Sequence, residues 1–172
     1  FVCSPSTPHG STANFEYWKN LIDMSEKYNF RIFADECYSE IYREKKPLGI
    51  LTVANELGAD LEKISVFQSL SKRSNLPGIR SGFSVNGKHT TEILKNVRAY
   101  GGAPIPIPLQ LASEEVWKDE HHVEINRSAY NKKFKIANKI FQDEGGFILP
   151  EAGFFICLPI NNVEDFTKDL WM

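Results

Sequence analysis

Apolar positions in the first hundred residues alternate between helical spacing and short continuous runs. A helical stripe is formed by Phe15, Trp18, Leu21 and Ile22. Ser11 or Thr12 is predicted to cap that helix, and apolar runs at 30–34, 64–67 and 81–85 predict strands. Because helical or turn-rich segments separate the first two runs, the pattern indicates an α/β fold with a parallel sheet.

The pattern changes after residue 100. A helix is predicted over 88–100, and the alternating prolines at 103–108 cannot continue it because every second residue lacks an amide hydrogen. We place a domain boundary there, between residues 1–105 and residues 106–172. The second part is predicted to hold helices at about 109–118 and 120–144, with apolar runs at 147–149 and 154–158. This is typical of the start of a smaller α+β domain.

Composition narrows the class of protein. With 20 basic and 22 acidic side chains the net charge is −2, which does not favour a nucleic-acid partner, and 42% hydrophobic residues suffice for a buried core. No uncharged run reaches the ~20 residues that span a bilayer. Three widely spaced cysteines predict a reducing, cytoplasmic setting. The adjacent His121 and His122 point about 100° apart on a helix, so no metal site is predicted.

Four polar groups stand at or just beyond the ends of the apolar runs. They are Ser4 to Gly10, Asp35 to Tyr38, Ser69 to Lys72, and Leu76 to Arg80. Ligands bind at the carboxyl ends of the strands in open parallel sheets. Each group is weak evidence alone, since a lone lysine is usually a solvated charge and an arginine usually makes a surface ion pair.

Together, in this order, the four groups resemble the class I/II aminotransferases, which are fold-type-I pyridoxal-phosphate enzymes. The most specific element is Ser-x-Ser-Lys at 69–72 followed by Arg80, and the resemblance covers nearly the whole chain. Within that family, residues 34–42, 69–83 and 122–134 resemble the N-succinyldiaminopimelate aminotransferases. The resemblance implies the C-terminal half of the cofactor-binding large domain at 1–105 and the start of the small domain at 106–172. It also implies amino-group transfer from glutamate to an N-succinyl keto acid in lysine and diaminopimelate biosynthesis.

The resemblance also implies roles for three side chains. Lys72 would bind pyridoxal 5'-phosphate covalently and move the substrate proton once released. Asp35, expected to be buried, would keep the ring nitrogen protonated. Tyr38 would place its hydroxyl against the phenolic oxygen of the ring.

Phosphate binding would fall to Arg80, helped by the hydroxyls of Ser69 and Ser71. One position departs from the family, which has Asn-Pro-x-Gly where this chain has Thr7-Pro8-His9-Gly10. The Thr7 hydroxyl can still donate a hydrogen bond to the cofactor, but its reach is about one bond shorter than that of Asn.

Two other hypotheses stay open at this stage. One keeps the fold and cofactor but changes the reaction, to another α-amino-acid aminotransferase or a carbon–sulfur lyase. The other is a cofactor-binding module or a fragment without catalysis. The sequence starts without Met in a strand-like run and stops inside a helical pattern, so we expect an internal piece of a longer protein. That protein is expected to be a homodimer acting on amino acids and keto acids, and the chain alone is expected to be a poor catalyst.

Overall fold

The computed structural model describes residues 1–102, 104–143, 145–160 and 162–171. Within these residues one sheet has the strand order β1 (Val2–Cys3), β2 (Ile32–Asp35), β3 (Ile64–Ser69) and β4 (Gly82–Asn86). The first three strands are parallel, as predicted, and β4 is antiparallel to β3. β4 reverses direction because a four-residue helix and a short turn connect it to β3, without the long crossover that a parallel strand needs.

Helices separate the strands along the chain, and three more of the described helices follow after residue 106. They are α1 (Phe15–Tyr28), α2 (Ile50–Leu57), α3 (Leu70–Arg73), α4 (Lys88–Tyr100), α5 (Ile107–Lys118), α6 (His121–Phe141) and α7 (Val163–Trp171). The predicted cap of α1 at Ser11 or Thr12 is wrong, because Asn14 Oδ1 accepts from the Tyr17 amide at 2.9 Å. α6 ends at Phe141, and the predicted end at Glu144 lies outside the described residues.

The hydrophobic core lies between one face of the sheet and the helices α1 and α2. Its buried members are Trp18, Ile22, Ile32, Ala34, Ile50, Val53, Ala54, Ile64 and Val66. Side chains alternate between the two faces of a strand, so Phe33 and Asp35 of β2 point to the face opposite these helices. The Trp18 indole Nε1 donates to the Leu48 carbonyl at 2.8 Å, which satisfies its polar atom inside the core.

The two late apolar runs, at 147–149 and 154–158, lie outside helices and strands. Between them, Ala152 forms an isolated antiparallel bridge with Tyr42, so this part of the chain packs back against the loop that follows β2. None of the described helices is long and apolar enough to cross a membrane.

Candidate active site

Three loops meet at the carboxyl ends of the parallel strands. The hydrogen-bond ladder continues just past the strand ends, since the Ser4 amide donates to the Asp35 carbonyl at 3.0 Å and the Glu36 amide donates to the Phe67 carbonyl at 3.1 Å. Thr7 lies on the loop after β1, Tyr38 on the loop after β2, and Lys72 on α3 directly after β3. The sheet therefore places predicted site residues from three distant segments along one edge.

Lys72 is held at the end of β3 by a short, capped helix. Ser69 caps α3, because its Oγ accepts from the Ser71 amide at 3.1 Å, and the two hydroxyls are 2.9 Å apart. From α6, the Asn126 side-chain amide donates to the carbonyls of Lys72 and Arg73, each at 3.4 Å. The backbone at Lys72 is thus fixed from both sides.

An aromatic ring joins Lys72 to the loop after β2. The Lys72 Nζ lies 4.8 Å from the centre of the Phe154 ring, and Phe154 lies 5.5 Å from Tyr38 and 5.9 Å from Tyr130 of α6. Sequence reasoning did not include Phe154 among the site residues. The available signal was an aromatic pair, Phe154 and Phe155, directly after a glycine.

Phe154 is delivered by residues 150–153, which we call the strap. The Ala152 amide donates to the Gly10 carbonyl at 3.0 Å, and the Gly153 amide donates to the Ile41 carbonyl at 2.7 Å. Arg43 Nε also donates to the Pro150 carbonyl at 2.6 Å. The strap therefore ties the loop after β1 to the loop after β2, and it fixes the direction in which the next residue leaves.

Gly10 makes the close approach of the strap possible. Its φ is +71°, and a Cβ built there would overlap the Ala152 carbonyl oxygen and lie 2.5 Å from Pro150 Cβ. Only glycine fits this conformation without strain and leaves room for the neighbouring backbone.

Two adjacent carboxylates, on the last residue of β2 and the residue after it, differ in their exposure. Asp35 is exposed, which corrects the expectation of a buried group, because it lies on the sheet face that α1 and α2 do not cover. The Cys37 amide donates to Asp35 Oδ1 at 3.0 Å and orients this carboxylate. Glu36 is buried and its Oε1 accepts from the Ile50 amide at 2.9 Å, at the start of α2. Burial raises the Glu36 pKa; that hydrogen bond opposes the rise, and the Asp35 charge adds a little to it.

Asp35 opens into a cavity of about 470 Å³ on the uncovered face of the sheet. It is lined by Phe1, Val2, Cys3, Phe33, Asp35 and Phe67. Phe33 stacks on Phe1 with ring centres 4.9 Å apart and lies 6.0 Å from Phe67. The cavity combines flat apolar walls with one carboxylate, which suits a planar ring carrying a protonated nitrogen.

Two thiols flank Asp35 and respond to its charge. Burial, followed by the hydrogen bond and charge of Asp35, raises the pKa of Cys37 to about 12, and the Lys72 charge acts in the opposite direction. Burial and then Asp35 also raise the pKa of Cys3, while hydrogen bonds from Thr7 oppose the rise. The charges of Asp35 and Lys72 therefore act on the Cys37 thiol in opposite directions.

The three residues predicted to bind phosphate, Arg80, Ser69 and Ser71, are not joined to one another by Arg80 contacts in the described part of the chain. Arg80 is exposed, has a φ of +59°, and its Nη1 donates to the Pro77 carbonyl at 2.8 Å. Among the described hydrogen bonds, none joins Arg80 to Ser69 or Ser71. Arg80 instead lines a second cavity of about 770 Å³, which also contains Arg98. The structure brings Lys72 and Tyr38 against one ring, and it leaves Arg80 turned toward its own loop.

The family profile described as aminotransferase class I and II matches residues 1–172. The chain belongs to the class I and II aminotransferases. An aminotransferase crystal structure from Neisseria meningitidis Z2491 is 43% identical with a TM-score of 0.93, over 99% of this chain and 44% of that one. The LL-diaminopimelate aminotransferase of Aquifex aeolicus is 32% identical over 151 residues, 82% of this chain and 36% of that protein.

A more distant aminotransferase-family structure shares the fold. The PLP-bound putative aminotransferase of Clostridium difficile 630 is 20% identical with a TM-score of 0.77, over 90% of this chain and 41% of that one. The chain spans less than half the length of each of these class I and II aminotransferase relatives. Its fold is that of fold-type-I aminotransferases, with a mostly parallel sheet and flanking helices.

Proposed function

We propose that this chain forms the lysine-bearing part of the active site of a pyridoxal-phosphate-dependent aminotransferase. The observation that carries the proposal is the meeting of Lys72 and Tyr38 at one aromatic ring, at the sheet edge where Asp35 ends β2. Pyridoxal phosphate needs an amine to bind it covalently, a hydroxyl to donate to its phenolic oxygen and a carboxylate beside its ring nitrogen. Lys72, Tyr38 and Asp35 are these three kinds of group, so the residues fit the cofactor. The family match and the PLP-bound relative support the same cofactor.

Each residue has a defined task in this proposal. When bound, pyridoxal phosphate withdraws electrons from the substrate's α-carbon. Lys72 binds the cofactor through Nζ and, when released by substrate, moves the α-proton. Asp35 holds a proton at the ring nitrogen, and its carboxylate is oriented by the Cys37 amide. Tyr38 donates to the phenolic oxygen, and Thr7 is a second donor on the loop after β1.

Phosphate binding requires one side chain to move. The Ser69 and Ser71 hydroxyls lie together at the start of α3 and supply hydrogen-bond donors. Arg80 has to leave the Pro77 carbonyl to bring its guanidinium to the same anion. We therefore propose that Arg80 turns when phosphate binds, because a charge-assisted bidentate pair is stronger than one hydrogen bond to a carbonyl.

For the substrate we propose an N-succinyl derivative of diaminopimelate, with glutamate as the amino donor. The support is the resemblance of residues 34–42, 69–83 and 122–134 to N-succinyldiaminopimelate aminotransferases, together with the Aquifex relative that acts on LL-diaminopimelate. We also propose that the whole protein works as a cytoplasmic homodimer and that the domain boundary falls near residue 105.

Borohydride reduction tests the cofactor-binding proposal. The 172-residue chain is mixed with pyridoxal phosphate, reduced, digested and mapped by mass spectrometry. The pyridoxyl group is expected on Lys72 in excess over the exposed Lys95, which serves as an internal reference. Lys72→Arg keeps the positive charge and is expected to lose that excess. Equal labelling of Lys72 and Lys95 in the starting chain would refute the proposal.

Spectroscopy of the cofactor separates the reaction types. Glutamate added to the whole protein, loaded with pyridoxal phosphate, is expected to convert the bound aldehyde form to the amine form and to release 2-oxoglutarate. Release of a keto acid and a thiol from a cysteine conjugate would instead indicate a carbon–sulfur lyase. Faster conversion by N-succinyl-diaminopimelate than by unmodified LL-diaminopimelate supports the proposed substrate, and the reverse order overturns it.

A further inference from the structure

The Lys72 ammonium has an aromatic partner in place of an anionic one. Among the described residues, no carboxylate oxygen makes an ion pair with its Nζ, whereas the Phe154 ring lies 4.8 Å away. A ring face attracts a cation through its quadrupole, and the attraction grows where water is partly excluded. Lys72 and Phe154 are both half-buried.

Other groups near Lys72 do not replace this partner. From the loop after β2, burial and Asp35 raise the pKa of Cys37 to about 12, so its thiol is protonated at neutral pH. The Asp35 Oδ1 accepts a hydrogen bond from the Cys37 amide, and no ion pair joins Asp35 to Lys72 among the described residues. From α6, Tyr130 stacks on the Phe154 ring, with the two ring centres 5.9 Å apart. On α3 itself, the neighbouring Arg73 is ion-paired to Glu120 at 2.5 Å. Among the described residues, the Phe154 ring is thus the group in direct contact with the Lys72 Nζ that attracts its charge.

The position of Phe154 is set by backbone contacts rather than by its own packing alone. The strap delivers it through hydrogen bonds to Gly10 and Ile41, and Ala152 is fully buried. Its neighbour Phe155 is 41% exposed and packs on Phe154 at 4.6 Å. The strap therefore holds one specific ring against the amine.

We propose that Phe154 is a positioning residue that stabilises the charged form of Lys72. This inference rests on the proposed function, in which Lys72 Nζ takes a proton from the substrate's α-carbon. In that step the Nζ lone pair forms the new N–H bond as the substrate's C–H bond breaks, and bound pyridoxal phosphate would supply the electron-withdrawing ring that accommodates the remaining electron pair. The Phe154 ring favours the resulting ammonium and holds it in place to return the proton.

Trace acetylation of the cofactor-free chain tests this inference without measuring turnover. Small amounts of acetic anhydride are added between pH 6 and pH 11, and acetylation of Lys72 is measured by mass spectrometry relative to Lys95. Only the unprotonated amine reacts. Phe154→Leu is expected to acetylate Lys72 about fivefold faster at pH 7, which corresponds to losing a half-buried cation–π contact. The two rates are expected to converge at alkaline pH, where the amine is unprotonated in both proteins.

Two controls separate charge from simple exposure. Phe154→Tyr keeps the ring and is expected to follow the starting protein, as is Phe155→Leu, which removes the adjacent ring. A rate ratio for Phe154→Leu that is the same at every pH would mean greater access only, and an unchanged or slower rate at pH 7 would equally overturn the proposal. If Lys72 is selectively labelled with the pyridoxyl group but Phe154→Leu leaves its acetylation profile unaltered, only the proposed role of Phe154 is refuted. Loss of selective pyridoxyl labelling would refute the proposed function.

Discussion

Replacing Gly10 with alanine is expected to weaken the fold by loosening the strap. An alanine at φ +71° costs about 1 kcal/mol of backbone strain. The new methyl group would also overlap the Ala152 carbonyl oxygen, so the two segments must separate. Separation breaks the 3.0 Å hydrogen bond from the Ala152 amide to the Gly10 carbonyl, in a place where Ala152 is fully buried. Leaving the Ala152 amide and the Gly10 carbonyl without partners costs about 2 kcal/mol. The free energy of unfolding is therefore expected to fall by about 3 kcal/mol in total.

Gly58 supplies a matched control for backbone strain. It has a similar φ of +65° at the end of α2, and a Cβ there meets nothing within 4 Å. Gly58→Ala is therefore expected to cost about 1 kcal/mol. The reduced entropy of the unfolded chain is common to both variants and cancels in their difference.

Urea unfolding followed by tryptophan fluorescence measures the two costs. With a slope of about 2 kcal/mol per molar urea, the midpoint is expected to fall by about 1.5 M for Gly10→Ala and about 0.5 M for Gly58→Ala. Gly10→Ala is also expected to change the acetylation profile of Lys72, because Phe154 follows the strap. Equal midpoints for the two variants would refute the close approach of Gly10 to the strap.

Three further predictions concern the loop after β2. Because burial and Asp35 raise the pKa of Cys37 to about 12, from an ordinary 9.0, its thiolate fraction at pH 8 is roughly a thousandfold lower. Iodoacetamide is expected to alkylate it correspondingly slowly, and Asp35→Asn to speed the reaction. Asp35→Ala is expected to lower the rate of the glutamate half-reaction more than tenfold, about 1.4 kcal/mol, while the urea midpoint stays nearly constant. Glu36 has a raised pKa, so its ionised form opposes folding at pH 7 and this penalty disappears as the pH falls below 4.5. Glu36→Gln is thus expected to be at least as stable at pH 7 and to lose that advantage in acid, whereas Glu36→Ala leaves the Ile50 amide unpaired and costs about 1–3 kcal/mol.

Local patterns in the sequence predicted the elements well. The helix expected at 88–100 has those bounds in the structure, and the runs at 30–34 and 64–67 overlap β2 (Ile32–Asp35) and β3 (Ile64–Ser69). Both results depend on neighbours in the chain, such as the Gly101 that ends α4 and the apolar alternation of β2. Interactions of that kind are readable from short windows.

The geometry of the candidate active site depends on contacts between residues that are far apart in the sequence, and short segments of sequence do not reveal such contacts. Asp35 was expected to be buried, but whether its face of β2 is covered depends on where helices pack, and α1 and α2 pack on the other face. The left-handed backbone of Arg80, which directs its side chain to Pro77, follows from the turn before β4. Phe154 is placed near Lys72 by the strap, whose amides donate to Gly10 and Ile41, each more than 100 positions away in the sequence. Tertiary geometry of this kind leaves little trace in sequence spacing.

The strap sets an order of events during synthesis of the chain. Lys72 and its capped helix leave the ribosome roughly 80 residues before Ala152, which corresponds to about 4–16 s of translation. During that interval the loops after β1 and β2 lack the backbone partners that join them, and closing a loop between Gly10 and Ala152 carries an entropic cost that local helices avoid. Lys72 is consequently made long before Phe154, so the contact between the amine and the ring forms only after the strap has been synthesised and has bound the two loops.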